Sequence, residues 1–220
     1  NEGNQAETYA QNAWKEFKAG WDYIVSVQIV KLTIFFASAR LFLIFLFDTL
    51  LILWAKNLHI QASAYGLLVS AGGVASVIGA LGAGQWKYWE RKPLESICWA
   101  TILSGGLVLG LGFISCEFQS VNLYLLIGLF FIIGLAGAIV PVAFGYILQT
   151  KVTPGILGRV VGTANGIQNL FMLTAPGLGA LLAKIWGINT VLVIAGLGSA
   201  LLGIIVLARS NQKCIITNSG

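Results

Sequence analysis

The chain has 220 residues, 57% of them hydrophobic and only 10% charged, with mean hydropathy +0.85 and a formal net charge of +5. Soluble domains carry roughly 25% charged residues, and a water-soluble domain of this composition would have an implausibly apolar surface, so that class is excluded. The cations form no compact basic patch with stacking aromatics, which argues against a nucleic-acid partner.

In chain order, residues 1–7 read as disordered. Residues 10–25 place Trp14, Phe17, Trp21 and Ile24 at helical spacing, with Lys15, Lys18 and Asp22 on the other side. That pattern predicts an amphipathic helix in the membrane interface; an exposed linker is the plainer alternative. Six apolar spans follow, over residues 31–56, 63–86, 96–116, 121–149, 161–184 and 189–208. Each has about the 20 residues that a helix needs to cross a bilayer core roughly 30 Å thick. The expected fold is an all-α membrane protein with three parts: a linker with the interfacial helix (1–30), a six-helix transmembrane domain (31–208) and a tail (209–220).

The connections carry an independent signal. Lys15, Lys18 and Lys31 precede the first span, Lys87, Arg91 and Lys92 lie between the second and third, Lys151 and Arg159 between the fourth and fifth, and Arg209 and Lys213 follow the sixth. Of the 13 Lys and Arg only Lys56, Lys184 and Arg40 fall elsewhere. The positive-inside rule then places both termini in the cytoplasm, where the cations would meet anionic membrane lipids.

The second span is rich in small residues (Gly66, Ser70, Gly73, Ala80, Gly84), and the fourth contains Gly134, Gly137 and Ala138. Small residues let helix backbones approach closely in lipid. Pro141 in the fourth span and Pro176 in the fifth each remove a backbone donor and predict bending. Residues 96–115 of the third span and 190–208 of the sixth hold no charge, carboxamide or proline, and these spans read as peripheral, lipid-facing helices. Two three-helix units of inverted topology are conceivable, but direct similarity between the halves is weak.

Three features could carry chemistry. Arg40 lies nine residues past the start of the first span, about 13 Å deep. A charge there must face protein or a hydrated cavity; it is either a substrate or counter-ion contact or a structural arginine on backbone carbonyls. Asp48, about 12 Å further along the same helix and about 80° around it, is a candidate for proton coupling or an interfacial residue facing water. Asn165, Gln168 and Asn169 form one polar helix face, lining a hydrated path or bonding neighbouring helices.

Other chemistries find no footing in the sequence. Cys98, Cys116 and Cys214 make no disulfide framework, and no Cys/His cluster has metal-ligand spacing. His59, the sole histidine, sits in a loop, so no span offers a histidine to activate a serine or hold a haem. No phosphate-binding loop is present. The expectation is a chain without metal, cofactor or enzymatic activity.

Six helices with both ends inside resemble one half of a major facilitator superfamily transporter. The stretch Gln149-Thr150-Lys151-Val152-Thr153-Pro154, followed by Gly158-Arg159-Val160-Val161-Gly162, resembles the loop before the eleventh helix in the macrolide-efflux and enterobactin-exporter group. Gly20-Trp21-Asp22-Tyr23-Ile24 resembles the approach to its seventh helix, and Tyr65-Gly66 through Gly84 is similar to its glycine-rich eighth. Gly84, Arg91 and Lys92 match the glycine start and basic end of the superfamily's loop motif. The resemblance covers residues 14–208 as helices seven to twelve. It implies the C-terminal half of a secondary active exporter of amphipathic small molecules, of drug or siderophore type, working by proton antiport in a bacterial-type cytoplasmic membrane. It implies also that Arg40, Asp48 and Pro141 stand on cavity-lining helices and Asn165, Gln168 and Asn169 on an interface helix. A missing six-helix half or a second copy would complete the cavity. The rival reading is a non-transporting subunit or assembly factor of a larger membrane complex.

Overall fold

A computed structural model describes the main chain of residues 2–117 and 122–217, and the side chains of residues 14–86, 88–113 and 122–209. The described residues form helices and no strand: α1 Glu2–Ser26, α2 Gln28–Asp48, α3 Leu51–Asn57, α4 Ala62–Gln85, a 3-10 helix Lys87–Arg91, α5 Pro93–Glu117, α6 Leu123–Lys151, α7 Pro154–Trp186 and α8 Ile188–Thr217. Six stretches are long and apolar enough to span a bilayer, α2 and α3 together making the first. The side chains of Cys116, Glu117, Lys213 and Cys214 lie outside the described residues.

Several boundaries differ from the sequence expectation. The segment read as disordered is helical from Glu2 onward, while Asn1 lies outside the described residues. Glu2, Gln5, Ala6, Glu7 and Ala10 are good helix formers, and no proline precedes Pro93. The first span is broken at residues 49–50, where the Leu50 amide donates to the Phe47 carbonyl at 2.8 Å, a tightened turn with no proline or glycine to announce it. The fifth span starts earlier than expected, because Pro154 at the first helical turn is pre-set for helix. α8 runs to Thr217, so most of the expected tail continues the last helix. α6 and α7 both continue through Pro141 and Pro176.

Caps and turns set the rest. The Asn122 side chain accepts a hydrogen bond from the Tyr124 amide at 3.0 Å and starts α6. Between α7 and α8 the chain reverses at Gly187, with φ 86° and ψ 157°, a conformation essentially reserved for glycine.

The spans pair off as α4 on α6, α2 on α7 and α5 on α8, with α5 also touching α6 and α2 touching α8. Exchanging α2, α4 and α5 with α6, α7 and α8 maps these principal pairings onto one another. The twofold repeat that direct sequence comparison left weak is therefore written in the packing.

The third and sixth spans keep an exposed apolar face each, with Trp99, Leu103 and Phe113 on α5 and Leu197, Leu201 and Ile204 on α8, and pack their other faces together. α5 is the most buried of the six spans, and it meets α8 along glycines seven residues apart on each helix: Gly105 faces Gly196, Gly112 faces Val193 and Gly203 faces Ile102. A Cβ on Gly105 would stand 2.8 Å from the Ala200 nitrogen, and one on Gly196 would stand 2.6 Å from that of Leu109. Lipid supplies no hydrophobic drive between helices, so close backbone approach carries the association. α4 and α7 are the least buried spans.

α1 packs across the start of α7. The Tyr23 hydroxyl accepts from the Thr153 amide at 3.3 Å and donates to the Lys151 carbonyl at 3.5 Å. Ile24 is buried there, whereas Trp14, Phe17 and Trp21 remain exposed, with Trp14 stacked on Phe17 at 5.7 Å. The predicted apolar face is thus divided between the bundle and its surroundings.

Candidate functional site

A cavity of ≈ 370 Å³ opens among α2, α4, α5, α6 and α8. Ile44, Phe47, Val108, Leu111, Phe130 and Ile133 give it apolar walls. Its ionisable lining consists of Arg40, Asp48 and Tyr65. Arg40 and Asp48 share the cavity although they stand eight residues apart on one helix. Asp48 is the last residue of α2, and Arg40, Ile44, Phe47 and Asp48, at i, i+4, i+7 and i+8, lie on the one helix face that lines the cavity. No ion pair joins the two among the described residues.

Arg40 is half-buried and, among the described residues, makes no side-chain hydrogen bond or ion pair. Its Nη2 lies 3.9 Å from the point where a Cβ on Gly137 would stand. Gly137 is four residues before Pro141, so its carbonyl lacks the helical amide that would otherwise bond it. A cation without a counter-charge therefore faces a stretch of α6 where one backbone acceptor is free. Ser104 of α5 and Ser199 of α8 add hydroxyls to the lining. Reasoning from sequence overlooked both. The available signal was a serine near the middle of each of two uncharged spans.

The structure does not bring the carboxamides to this cavity. Asn165 and Asn169 are exposed and Gln168 is half-buried on α7, and none makes a side-chain hydrogen bond among the described residues. Asn165 lies eleven residues after Pro154, about 17 Å along the helix.

The remaining motif residues lie at the helix ends. Gly84 and Gly158 have open space where a Cβ would be. Beside Gly84 the Trp89 Nε1 donates to the Ala83 carbonyl at 2.6 Å, and the Trp89 ring meets Tyr146 edge-on at 5.2 Å. Arg91 stands 5.8 Å over the Tyr88 ring, and Lys92 pairs with Glu95 at 2.8 Å. Pro154 begins α7, and the Arg159 guanidinium lies 3.6 Å from Glu16 of α1. Among the described residues no group of three His, Cys, Asp or Glu is placed to hold a metal ion.

No curated protein and no solved structure matches the chain. The family profile described as Major Facilitator Superfamily matches residues 32–213. That match takes in all six spans, and the chain is a multi-pass membrane protein belonging to the major facilitator superfamily, whose members are transporters.

Proposed function

We propose that this chain is the C-terminal six-helix domain of a secondary active exporter of amphipathic small molecules, driven by proton antiport. The observation that carries the reading is a single cavity, apolar-walled, that holds both Arg40 and Asp48 within the span region. Ionisable groups inside a membrane domain are costly and belong to substrate or ion pathways. Arg40 meets the polar part of the substrate, the aliphatic and aromatic walls hold its body, and Asp48 carries the proton. Pro141 lets α6 bend beside the cavity, and Pro176 does the same for α7.

The domain works against a second six-helix unit, on the same polypeptide or in a second copy. Supporting this, α7 turns Asn165 and Asn169 away from its own bundle, where hydrocarbon would leave the amides unpaired. With the basic loops facing inward, both termini lie in the cytoplasm of a bacterial-type inner membrane.

The test is transport in inverted vesicles from cells making the native polypeptide. An imposed pH gradient, acid inside, should drive uptake of amphipathic dyes. Asp48→Asn should remove the response to the gradient and leave dye exchange at equilibrium. Vesicles holding the intact assembly that move no dye would instead favour the non-transporting subunit.

A further inference from the structure

We infer that the intramembrane cavity binds a monoanionic amphipath, with Arg40 as the counter-ion of its acidic group. This names a substrate class for the reading above and rests on it for physiological meaning. The surroundings of Arg40 and the walls of the cavity both point to such a ligand. The guanidinium is half-buried in a membrane span and has no hydrogen-bonded or charged partner among the described residues. A charge so placed is stabilised only by a counter-charge or by several acceptors. What stands beside it is Gly137, whose carbonyl Pro141 leaves free. One carbonyl supplies a dipole but no charge, so an oxyanion is the better partner, and the planar guanidinium can hold carboxylate, sulfonate or phosphate oxygens two at a time.

The walls decide the rest of the molecule. Phe47, Val108, Leu111, Phe130 and Ile133 call for an apolar body. A volume of ≈ 370 Å³ lies within the roughly 300–1,000 Å³ of small-molecule sites. Asp48 sets the limit of one negative charge. It lies about 12 Å along α2 from Arg40, at the far part of the same lining, and repels a second anionic group. Among the described residues, Tyr65 is the only other ionisable side chain in the lining.

The experiment compares two probes with the same aromatic body: 1-anilinonaphthalene-8-sulfonate, which is anionic, and N-phenyl-1-naphthylamine, which lacks the sulfonate. Saturable fluorescence binding is measured on the purified native polypeptide in a non-ionic detergent, with protein-free micelles subtracted. Wild type should bind the sulfonate tighter than the neutral amine. Arg40→Gln should weaken sulfonate binding on the order of tenfold or more, the loss of a charge-assisted contact, and leave amine binding unchanged. Arg40→Lys should restore most of it. Retained amine binding by Arg40→Gln also shows that the variant has kept its cavity. Equal sulfonate affinity in wild type and Arg40→Gln overturns the proposal, and so does the absence of saturable sulfonate binding to wild type. Dye transport, read separately, decides the exporter reading. Transport of the anionic dye unaffected by Arg40→Gln would keep the exporter while discarding the anion site.

Discussion

Gly179 in α7 lies directly against the main-chain carbonyl of Leu46 in α2. In the α4–α6 pair, a Cβ on Gly79 would stand 2.9 Å from the Leu135 carbonyl. Both contacts join one of the two least buried spans to the bundle. Each outer helix thus packs along one principal neighbour, with close backbone approach at these glycines.

Gly179→Ala should lower thermal stability clearly, because the neighbour is backbone and cannot move aside; overpacking of this kind costs about 1–3 kcal/mol. Gly66→Ala, at a position with open space, should leave stability unchanged or raise it slightly, since alanine is the better helix former. Thermal unfolding in detergent, monitored by tryptophan fluorescence, makes the comparison. Equal effects at the two sites would refute the packing account.

Tyr23→Phe should free α1 without unfolding the bundle. It removes the hydroxyl that joins α1 to the Thr153 amide and the Lys151 carbonyl, worth about 1 kcal/mol. Limited trypsin digestion at Lys15 and Lys18 should accelerate while the global melting temperature barely moves. Arg159→Gln breaks only an ion pair whose side chains are 46% and 63% exposed. Exposed pairs of this kind contribute about 0–1 kcal/mol, so its digestion rate should stay closer to wild type.

Replacing Asn165 and Asn169 together by leucine should leave the six-helix fold intact, because neither side chain bonds within it. Association with the second unit should weaken instead. Size-exclusion chromatography of the native polypeptide, or disulfide trapping between units, should report the loss, while helical circular dichroism stays constant. A fall in helicity with association preserved would place these amides inside the fold.

Ser38→Ala should be neutral or mildly stabilising. The Ser38 hydroxyl is buried and has no hydrogen-bond partner among the described residues, and an unsatisfied buried polar group costs about 1–3 kcal/mol. A large loss of stability in the thermal assay would show that the hydroxyl does have a partner.

The membrane class, the six spans and the spacing that divides them were legible in the residues. Chain-local physics sets them: hydrocarbon admits only long apolar helices, and basic residues mark alternate connections. Arg40 and Asp48 could also be singled out, since any charge within an apolar run stands out. Their meeting in one cavity could not. It depends on α4, α5, α6 and α8 closing around the face of α2 that carries both. The third and sixth spans show the same limit. Their lack of charge and proline matched a lipid-facing role, yet tertiary contact also made their glycines a close seam between them and placed Ser104 and Ser199 in the cavity lining. Composition determined that each span enters the membrane. Only helix-on-helix geometry decided which faces meet, because in lipid that choice rests on close backbone approach between residues far apart in the chain.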